Sequence, residues 1–147
     1  MVEAAADLYC KPLVAFNVQR WQVSGKLVLE IIVQKSKICP HLAPDKKGKH
    51  AAYIRVKYEN FIACPIQVKV WEKMASEHAK PFVYSQKYEL VLEALRKHKR
   101  LTLPRLSKQI LGSEKEVEEI PVELVLAKLV SIEVAGIDAC FLIPNNR

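Results

Sequence analysis

Glycine is scarce in this chain of 147 residues. Only four residues are Gly, and none belongs to a glycine-rich loop of the kinds that cradle nucleotide phosphates. No stretch approaches the roughly 20 uninterrupted apolar residues of a membrane span. The cysteines never form Cys-x-x-Cys, so we expect reduced thiols, a cytoplasmic location and no membrane partner. They are Cys10, Cys39, Cys64 and Cys140.

Motifs for catalysis and for metal binding are lacking as well. No Ser or Cys lies in a nucleophile motif. Cys39-x-His41 is one residue tighter than the usual zinc pairing, and the other histidines have no partner at ligand spacing. These are His50, His78 and His98. We expect no enzymatic activity, no metal and no cofactor.

Positive charge is in excess and unevenly distributed. The chain has 23 Lys and Arg against 16 Asp and Glu, a formal net charge of +7. Thirteen of these cations and seven of these acids precede Ser85, so the earlier part carries +6 and the remainder +1. This balance permits an anionic partner, but the excess lies outside the C-terminal third.

The first half of the chain is patterned for strands. Alternation predicts a strand over residues 12–23, and Ser24-Gly25 is a two-residue hairpin turn. Residues 27–33 are apolar on both faces, which is typical of a central strand covered on both sides. Residues 35–49 predict an exposed, lysine-rich loop, and residues 50–57 predict another strand.

A helix is predicted to begin at Pro65, where a missing N–H is tolerated, and to run to about Ala79. Its predicted buried residues are Ile66, Val70, Trp71 and Met74. Residues 80–84 follow as a linker, and beyond them the spacing predicts two further helices. The inner face of the first holds Tyr88, Val91, Leu92 and Leu95; that of the second, between Thr102 and Gly112, holds Leu103, Leu106 and Ile110.

A capping box at Ser113-x-x-Glu116 predicts a short helical turn, and Pro121 is expected to open a new helix. The apolar face of that helix holds Val122, Val125, Leu126, Leu129 and Val130. Residues 131–134 and 137–143 are β-prone runs joined at Ala135-Gly136. Three helices followed by a hairpin is the order of a winged helix, in which the third helix reads DNA. The alternative is an unrelated three-helix domain with a terminal hairpin.

Several segments between Cys10 and Met74 occur in the order seen in one known family. They are Cys10-x-Pro12, Gly25-Lys26-x-Val28-Leu29-x-Ile31-x-Val33, Pro40-His41, Ala52-Tyr53-Ile54-Arg55-Val56 and Ala63-Cys64-Pro65. In these segments the chain resembles bacterial Schlafen-type AlbA-like domains, which were also described as divergent AAA-type ATPases. The resemblance covers the later part of that domain, and an earlier βαβ region with a Glu-Phe-Lys-like strand and a Gly-Gly turn has no counterpart. We therefore expect a shortened member or a fragment.

The resemblance implies an α+β chain with a partial β-rich Schlafen/AlbA-like domain in residues 1–79. A linker at 80–84 and a winged helix-turn-helix domain in 85–147 complete it. It also implies a DNA-binding transcriptional regulator, and the lack of catalytic motifs predicts that this regulator is non-catalytic. An ATP-binding or nuclease activity is a distant alternative that requires the missing region.

Two sets of basic residues are candidates for contact with DNA phosphates. The first is Arg96, Lys97, Lys99, Arg100, Arg105 and Lys108, and the second is Arg55 and Lys57 beside the lysine-rich loop. Their alternative interpretation is a solvated surface, with cations favoured at a helix C-terminus by its dipole.

The start of the third helix argues against reading of the major groove. Residues 114–123 contain five glutamates against the single Lys115: Glu114, Glu116, Glu118, Glu119 and Glu123. Carboxylates there would be repelled by the phosphate rows, although they stabilise the helix dipole. A use of the winged helix in protein contacts gains by comparison. The alternative function is thus an assembly module. Since the absent strands leave a sheet edge open, we expect a homodimer; the alternative is a monomer in which residues 1–11 fold back as a helix and cover the sheet.

Overall fold

The structure, a computed structural model, describes residues 2–76, 81–110, 112–135 and 138–144. It is of the mixed α+β class and has, within those ranges, three small antiparallel sheets. The contacts divide the chain into two compact units, Met1–Ala52 and Tyr53–Arg147. The α+β class is therefore confirmed. The division falls inside a strand, and the linker at 80–84 stays a prediction. The predicted helix end near Ala79 lies outside the described residues, as do His78 and Gly136.

The first unit is built around two antiparallel pairs of strands. Its elements are α1 (Val2–Tyr9), β1 (Phe16–Val23), β2 (Lys26–Val33), β3 (Leu42–Pro44) and the first part of β4 (His50–Val56). β1 pairs with β2 and β3 pairs with β4.

The β1–β2 hairpin has the turn that its sequence predicts. Phe16 lies opposite Val33 and Val23 lies opposite Lys26, which leaves Ser24 and Gly25 as the two-residue connection. Both turn residues have positive φ, 50° and 75°, as the tightest hairpin turns require. Because such turns match the twist of the flanking strands, the register follows from the turn alone.

The segment predicted as an exposed loop is partly ordered against the upstream chain. Lys11 and Leu42 exchange backbone hydrogen bonds of 2.9 and 2.7 Å, and β3 forms there. The His41 ring donates from Nδ1 to the Pro12 carbonyl oxygen at 2.8 Å. The prediction of a loop throughout 35–49 is therefore wrong at 42–44, because these residues pair with His50–Ala52 of β4 and Leu42 also bridges to Lys11, about thirty positions earlier.

The second unit contains most of the helices. It holds the rest of β4 and then β5 (Glu59–Ile62), α2 (Pro65–Ala75), α3 (Gln86–His98), β6 (Leu101–Thr102), α4 (Leu103–Ser107), α5 (Glu114–Leu126), β7 (Ser131–Ala135) and β8 (Asp138–Leu142). β8 lies between β6 and β7 in an antiparallel sheet, and β4 continues into a pairing with β5.

The core of the second unit joins α2 to the elements that follow it. Its most buried side chains include Phe141, Leu106 and Val122, and Ile66 and Val70 of α2 belong to the same cluster. The prediction that α2 buries these two residues is confirmed. The prediction for Met74 is wrong, since its side chain is 68% exposed on the last turn of the helix.

Helix α5 is continuous through Pro121, so the expectation of a new helix there is wrong. Its capping box forms as predicted: Ser113 Oγ accepts from the Glu116 N–H, and the Ser113 N–H donates to Glu116 Oε2 at 2.9 Å. A proline inside a helix costs about 3 kcal/mol in lost hydrogen bonding and ring clash. The Pro121 ring is fully buried, and its packing offsets part of that cost. Similarly, α4 ends at Ser107 rather than near Gly112.

Candidate interaction surfaces

Two of the predicted phosphate-binding residues are already paired with carboxylates. Arg96 donates from Nη1 to Glu89 Oε1 at 2.6 Å, two turns earlier on α3. Arg100 donates from Nη2 to Glu133 Oε2 on β7 at 2.8 Å. Both pairs are exposed, so each guanidinium keeps free donors, but its charge is largely balanced.

Two other predicted cations, Lys97 and Lys108, lie at an open groove between α3 and the end of α4, beside His98, which was not predicted for this role. Lys97 and His98 approach it from α3, and Lys108 from the C-terminal end of α4. The groove has a volume of about 390 Å³ and is lined by Leu90, Glu93, Ala94, Lys97, His98, Lys108 and Gln109. Lys99 and Arg105 are exposed on the same two elements, outside this lining. The α3–α4 groove is therefore a basic surface with one carboxylate in it.

The remaining predicted pair lies on the β4–β5 hairpin. Arg55 donates from Nη1 to Asn60 Oδ1 at 3.1 Å and from Nε to the Lys57 carbonyl oxygen at 3.3 Å. Lys57 has a positive φ of 54° at the turn. Arg55 is thus held as a brace across its own hairpin, and neither residue lines the α3–α4 groove.

The glutamates of α5 do more than stabilise its dipole. Glu116 forms an ion pair with Lys87 on α3, and Glu118 forms one with Lys69 on α2. The hydrogen bond from Lys87, followed by that from the Ser113 backbone, lowers the pKa of Glu116. These carboxylates therefore connect α5 to its two neighbouring helices.

A third side-chain contact between α5 and a neighbouring helix is a hydrogen bond from a tyrosine to a carboxylate. The Tyr88 hydroxyl on α3 donates to Glu123 Oε2 at 2.5 Å. Burial, followed by this hydrogen bond and by the charges of Glu123 and Glu119, raises the pKa of Tyr88 to about 12. The ring also contacts Phe82 and Tyr84, with centroids 5.1 and 6.1 Å away. Tyr88 thus anchors the segment that precedes α3.

Helix α5 is buried along one side only. Ile120, Pro121, Val122 and Leu124 are buried, whereas Glu114, Lys115 and Glu118 are exposed. α2 packs against the buried side and contributes Ile66 to the shared core. The side that faces solvent is mainly acidic, which disfavours contact with the phosphates of a DNA groove.

The β1–β2 hairpin exposes apolar side chains on both sides. Residues directly opposite each other in an antiparallel pair share a face, so the register defines an apolar face whose apolar members are Phe16, Val18, Leu27, Leu29, Ile31 and Val33. Arg20 and Gln22 are its polar members. Leu27 is 62% exposed and Val33 is 59% exposed.

The opposite face of the hairpin is mixed. Its members are Asn17, Gln19, Trp21, Val23, Lys26, Val28, Glu30 and Ile32. Trp21 Nε1 donates to Glu30 Oε2 at 2.9 Å across the two strands. All eight residues of β2 are exposed, so the prediction of a central strand covered on both sides is wrong. The predicted open edge is present, because β1 and β2 form a sheet of two strands.

Sequence reasoning found β2 but missed the contribution of β1 to the exposed surface. Val18 and Trp21 read as ordinary alternating strand residues, and only their exposure identifies them as surface. Their sequence signal was the change of phase after Val18, which places apolar residues on both faces. The hairpin as a whole therefore presents nine exposed large apolar side chains.

Further observations bound the possible functions. Among the described residues, no three His, Cys, Asp or Glu side chains gather in a way that would hold a metal ion. Within the same ranges, no helix has the length and apolar character needed to cross a bilayer. Comparisons with protein-family models, with curated proteins and with solved structures found no match to this chain.

Proposed function

We infer that this chain is a non-catalytic assembly module whose β1–β2 hairpin binds a second copy of the chain. The observation that carries this proposal is the exposure of the hairpin on both faces. Isolated two-stranded hairpins are marginal in water, and a strand that adds to the free edge brings its apolar side chains into contact with those of the hairpin. A fully buried Leu or Ile contributes about 2 kcal/mol, so partial burial of several is enough for stable association.

A second copy is the partner that the hairpin favours. Homodimers with a twofold axis are the commonest soluble oligomers, and they need only one self-complementary surface. The hairpin has a free strand edge and an apolar face, and both can be shared between identical chains. Its exposed apolar side chains are contiguous, whereas scattered surface residues of a monomer occur singly.

We further propose that α3 to β8 form a winged helix used for protein contacts. The order helix, strand, two helices and hairpin, with β8 between β6 and β7, supports this assignment. Reading of DNA by α5 is disfavoured, since α2 covers it and glutamates line its start. Its carboxylates would be repelled by phosphates.

Binding to nucleic-acid phosphates is the second candidate function. It is supported by the α3–α4 groove, where Lys97, His98 and Lys108 come together. The DNA-binding regulator implied by the resemblance to Schlafen-type domains would use this surface. Because the exposed residues of α5 are mainly acidic, they would not read base edges, and such binding would be sequence-tolerant and would depend on charge.

Sedimentation equilibrium tests the assembly proposal. The wild-type chain of 16.7 kDa is expected to approach twice that mass as its concentration rises to about 100 μM. The double variant L29N/I31N on the apolar face is expected to remain a monomer. Y58N/V83N is the matched control, since these side chains are 90% and 74% exposed in the second unit. A wild-type monomer at about 100 μM would overturn the proposal.

A further inference from the structure

The outer edge of β2 is unpaired in the part of the chain that the structure describes. Such an edge offers a row of N–H and C=O groups to any strand that lies beside it. β2 has only two charged side chains, Lys26 and Glu30. β1 has four polar or charged ones: Asn17, Gln19, Arg20 and Gln22. The β2 edge is therefore the more favourable one for pairing with another chain.

Two copies of β2 can pair antiparallel about a twofold axis perpendicular to the sheet. This symmetry keeps the apolar faces of both hairpins on one side and places one residue of β2 opposite its own copy. If that residue is Glu30, two carboxylates face each other, which is destabilising. If it is Leu29 or Ile31, Glu30 lies opposite an apolar side chain.

In one register both charged residues of β2 lie opposite a residue of opposite charge. This register places Val28 at the twofold axis. Lys26 then lies opposite the partner's Glu30, and the partner's Lys26 lies opposite Glu30. Leu27 lies opposite the partner's Leu29 on the apolar face. Opposite charges directly across a strand pair are stabilising, and the symmetry provides two such pairs. The charge pattern of β2 is thus complementary to itself.

The structure already orients Glu30 for this contact. Its Oε2 accepts from Trp21 Nε1 at 2.9 Å, which restrains the carboxylate and leaves Oε1 available. Lys26 lies on the same face of the hairpin as Glu30 and forms no ion pair within the described ranges. One strand, β2, thus supplies both a carboxylate that is held in place and a lysine that has no ion pair within the described ranges.

We propose that two copies of the chain pair β2 against β2 with Val28 at the twofold axis. The product is a four-stranded sheet, in the order β1-β2-β2-β1, with two intermolecular Lys26–Glu30 pairs and one continuous apolar face. This inference rests on the proposed function and names its partner and register.

Charge reversal tests the register. K26E and E30K are each expected to raise the dimer dissociation constant about tenfold or more, because two attractive pairs become repulsive. The double variant K26E/E30K is expected to restore wild-type association. An equimolar mixture of K26E and E30K is expected to form a heterodimer that neither variant forms alone. Sedimentation equilibrium on the full chain measures all four.

Three controls separate the contributions. R20E makes the same change of charge on β1 and is expected to leave association within about twofold of wild type. W21F removes the indole donor to Glu30 while it retains an aromatic ring, and circular dichroism reports whether each variant is folded. A wild-type dimer that is indifferent to K26E and E30K, or as sensitive to R20E, would overturn the register and leave assembly intact. A monomeric wild type would sink both ideas.

Discussion

The Tyr88 hydroxyl lies 2.5 Å from Glu123 Oε2, and this hydrogen bond joins α3 to α5 across 35 residues of sequence. The acceptor is a carboxylate, and hydrogen bonds to charged groups are stronger than those between neutral ones. The bond lies at the edge of the core against which α5 packs. We therefore expect its removal to lower the stability of the second unit.

Replacement of Tyr88 by Phe is expected to lower the free energy of unfolding by about 1 kcal/mol, since the ring packing is retained and only the hydrogen bond is lost. Urea denaturation monitored by circular dichroism measures the change. Y84F is the control. Because Tyr84 is 52% exposed, loss of its hydroxyl is expected to change the free energy of unfolding little. Equal effects of the two substitutions would contradict the role assigned to Tyr88.

The same residue predicts a dependence on high pH. The pKa of Tyr88 is raised from 10.0 to about 12, so the folded chain favours the protonated hydroxyl. The stabilisation is fully present below pH 10 and is lost as the pH rises towards 12. The difference in stability between wild type and Y88F is expected to shrink across that interval. A difference in stability between wild type and Y88F that stays constant from pH 9 to pH 12 would contradict this pH dependence.

Glu116 predicts the opposite behaviour at low pH. Its pKa is lowered from 4.5, mainly by the hydrogen bond from Lys87, so its contribution is present above that value and is lost as the pH falls below it. E116Q preserves the capping-box geometry but removes the charge, whereas E116A removes both. At pH 7 we expect stability to decrease in the order wild type, E116Q, E116A. In acid we expect the difference in stability between wild type and E116Q to disappear. E114Q, at an exposed position in the same turn, is the control.

The assignment of α2 to the second unit can be tested in its core. Ile66 is 2% exposed, and I66A is expected to lower the stability of the second unit by about 2–4 kcal/mol. M74A on the same helix is expected to change it by less than about 0.5 kcal/mol, because an exposed side chain leaves no cavity. Thermal unfolding followed by circular dichroism compares them. A small effect of I66A would show that α2 is not part of this core.

Binding of DNA at the α3–α4 groove is expected to be weak and steeply dependent on salt. Each phosphate contact contributes roughly 0.9 to the slope of log affinity against log salt, so K97E/K108E is expected to reduce the slope by about 2. Fluorescence anisotropy with labelled duplexes of two unrelated sequences measures it. K73E/K128E makes the same change of net charge elsewhere in the second unit. Tight binding to one sequence that persists at ~200 mM salt would contradict this prediction.

Much of the local structure could be predicted because its determinants are close together in the sequence. Ser24-Gly25 forms its own turn, and Ser113 and Glu116 exchange hydrogen bonds three residues apart. Pro121 was misjudged for the opposite reason. Its local cost in a helix is fixed by its ring, but the burial that offsets this cost depends on residues from other elements.

The candidate sites show the same division. The sequence identified Arg96, Arg100 and the glutamates of α5 as charged groups, but it could not show which of them are paired. Glu118 meets Lys69 across 49 residues and Arg100 meets Glu133 across 33. Such pairs form only when the elements that carry them pack together. Whether a basic side chain is free to contact a phosphate or is already paired with a carboxylate therefore depends on tertiary packing.

The sequence by itself determined strands β1, β2, β4, β7 and β8, the hairpin turn, the capping box and the apolar composition of β2, because periodicity and short-range hydrogen bonds act between neighbours. Only the tertiary structure decided that α2 packs against α5, that Glu116 and Glu118 pair with lysines of other helices, and that β2 is an exposed edge. Burial is a property of what lies beside a residue in space. An apolar strand reads alike whether its faces are covered or open, and here they are open.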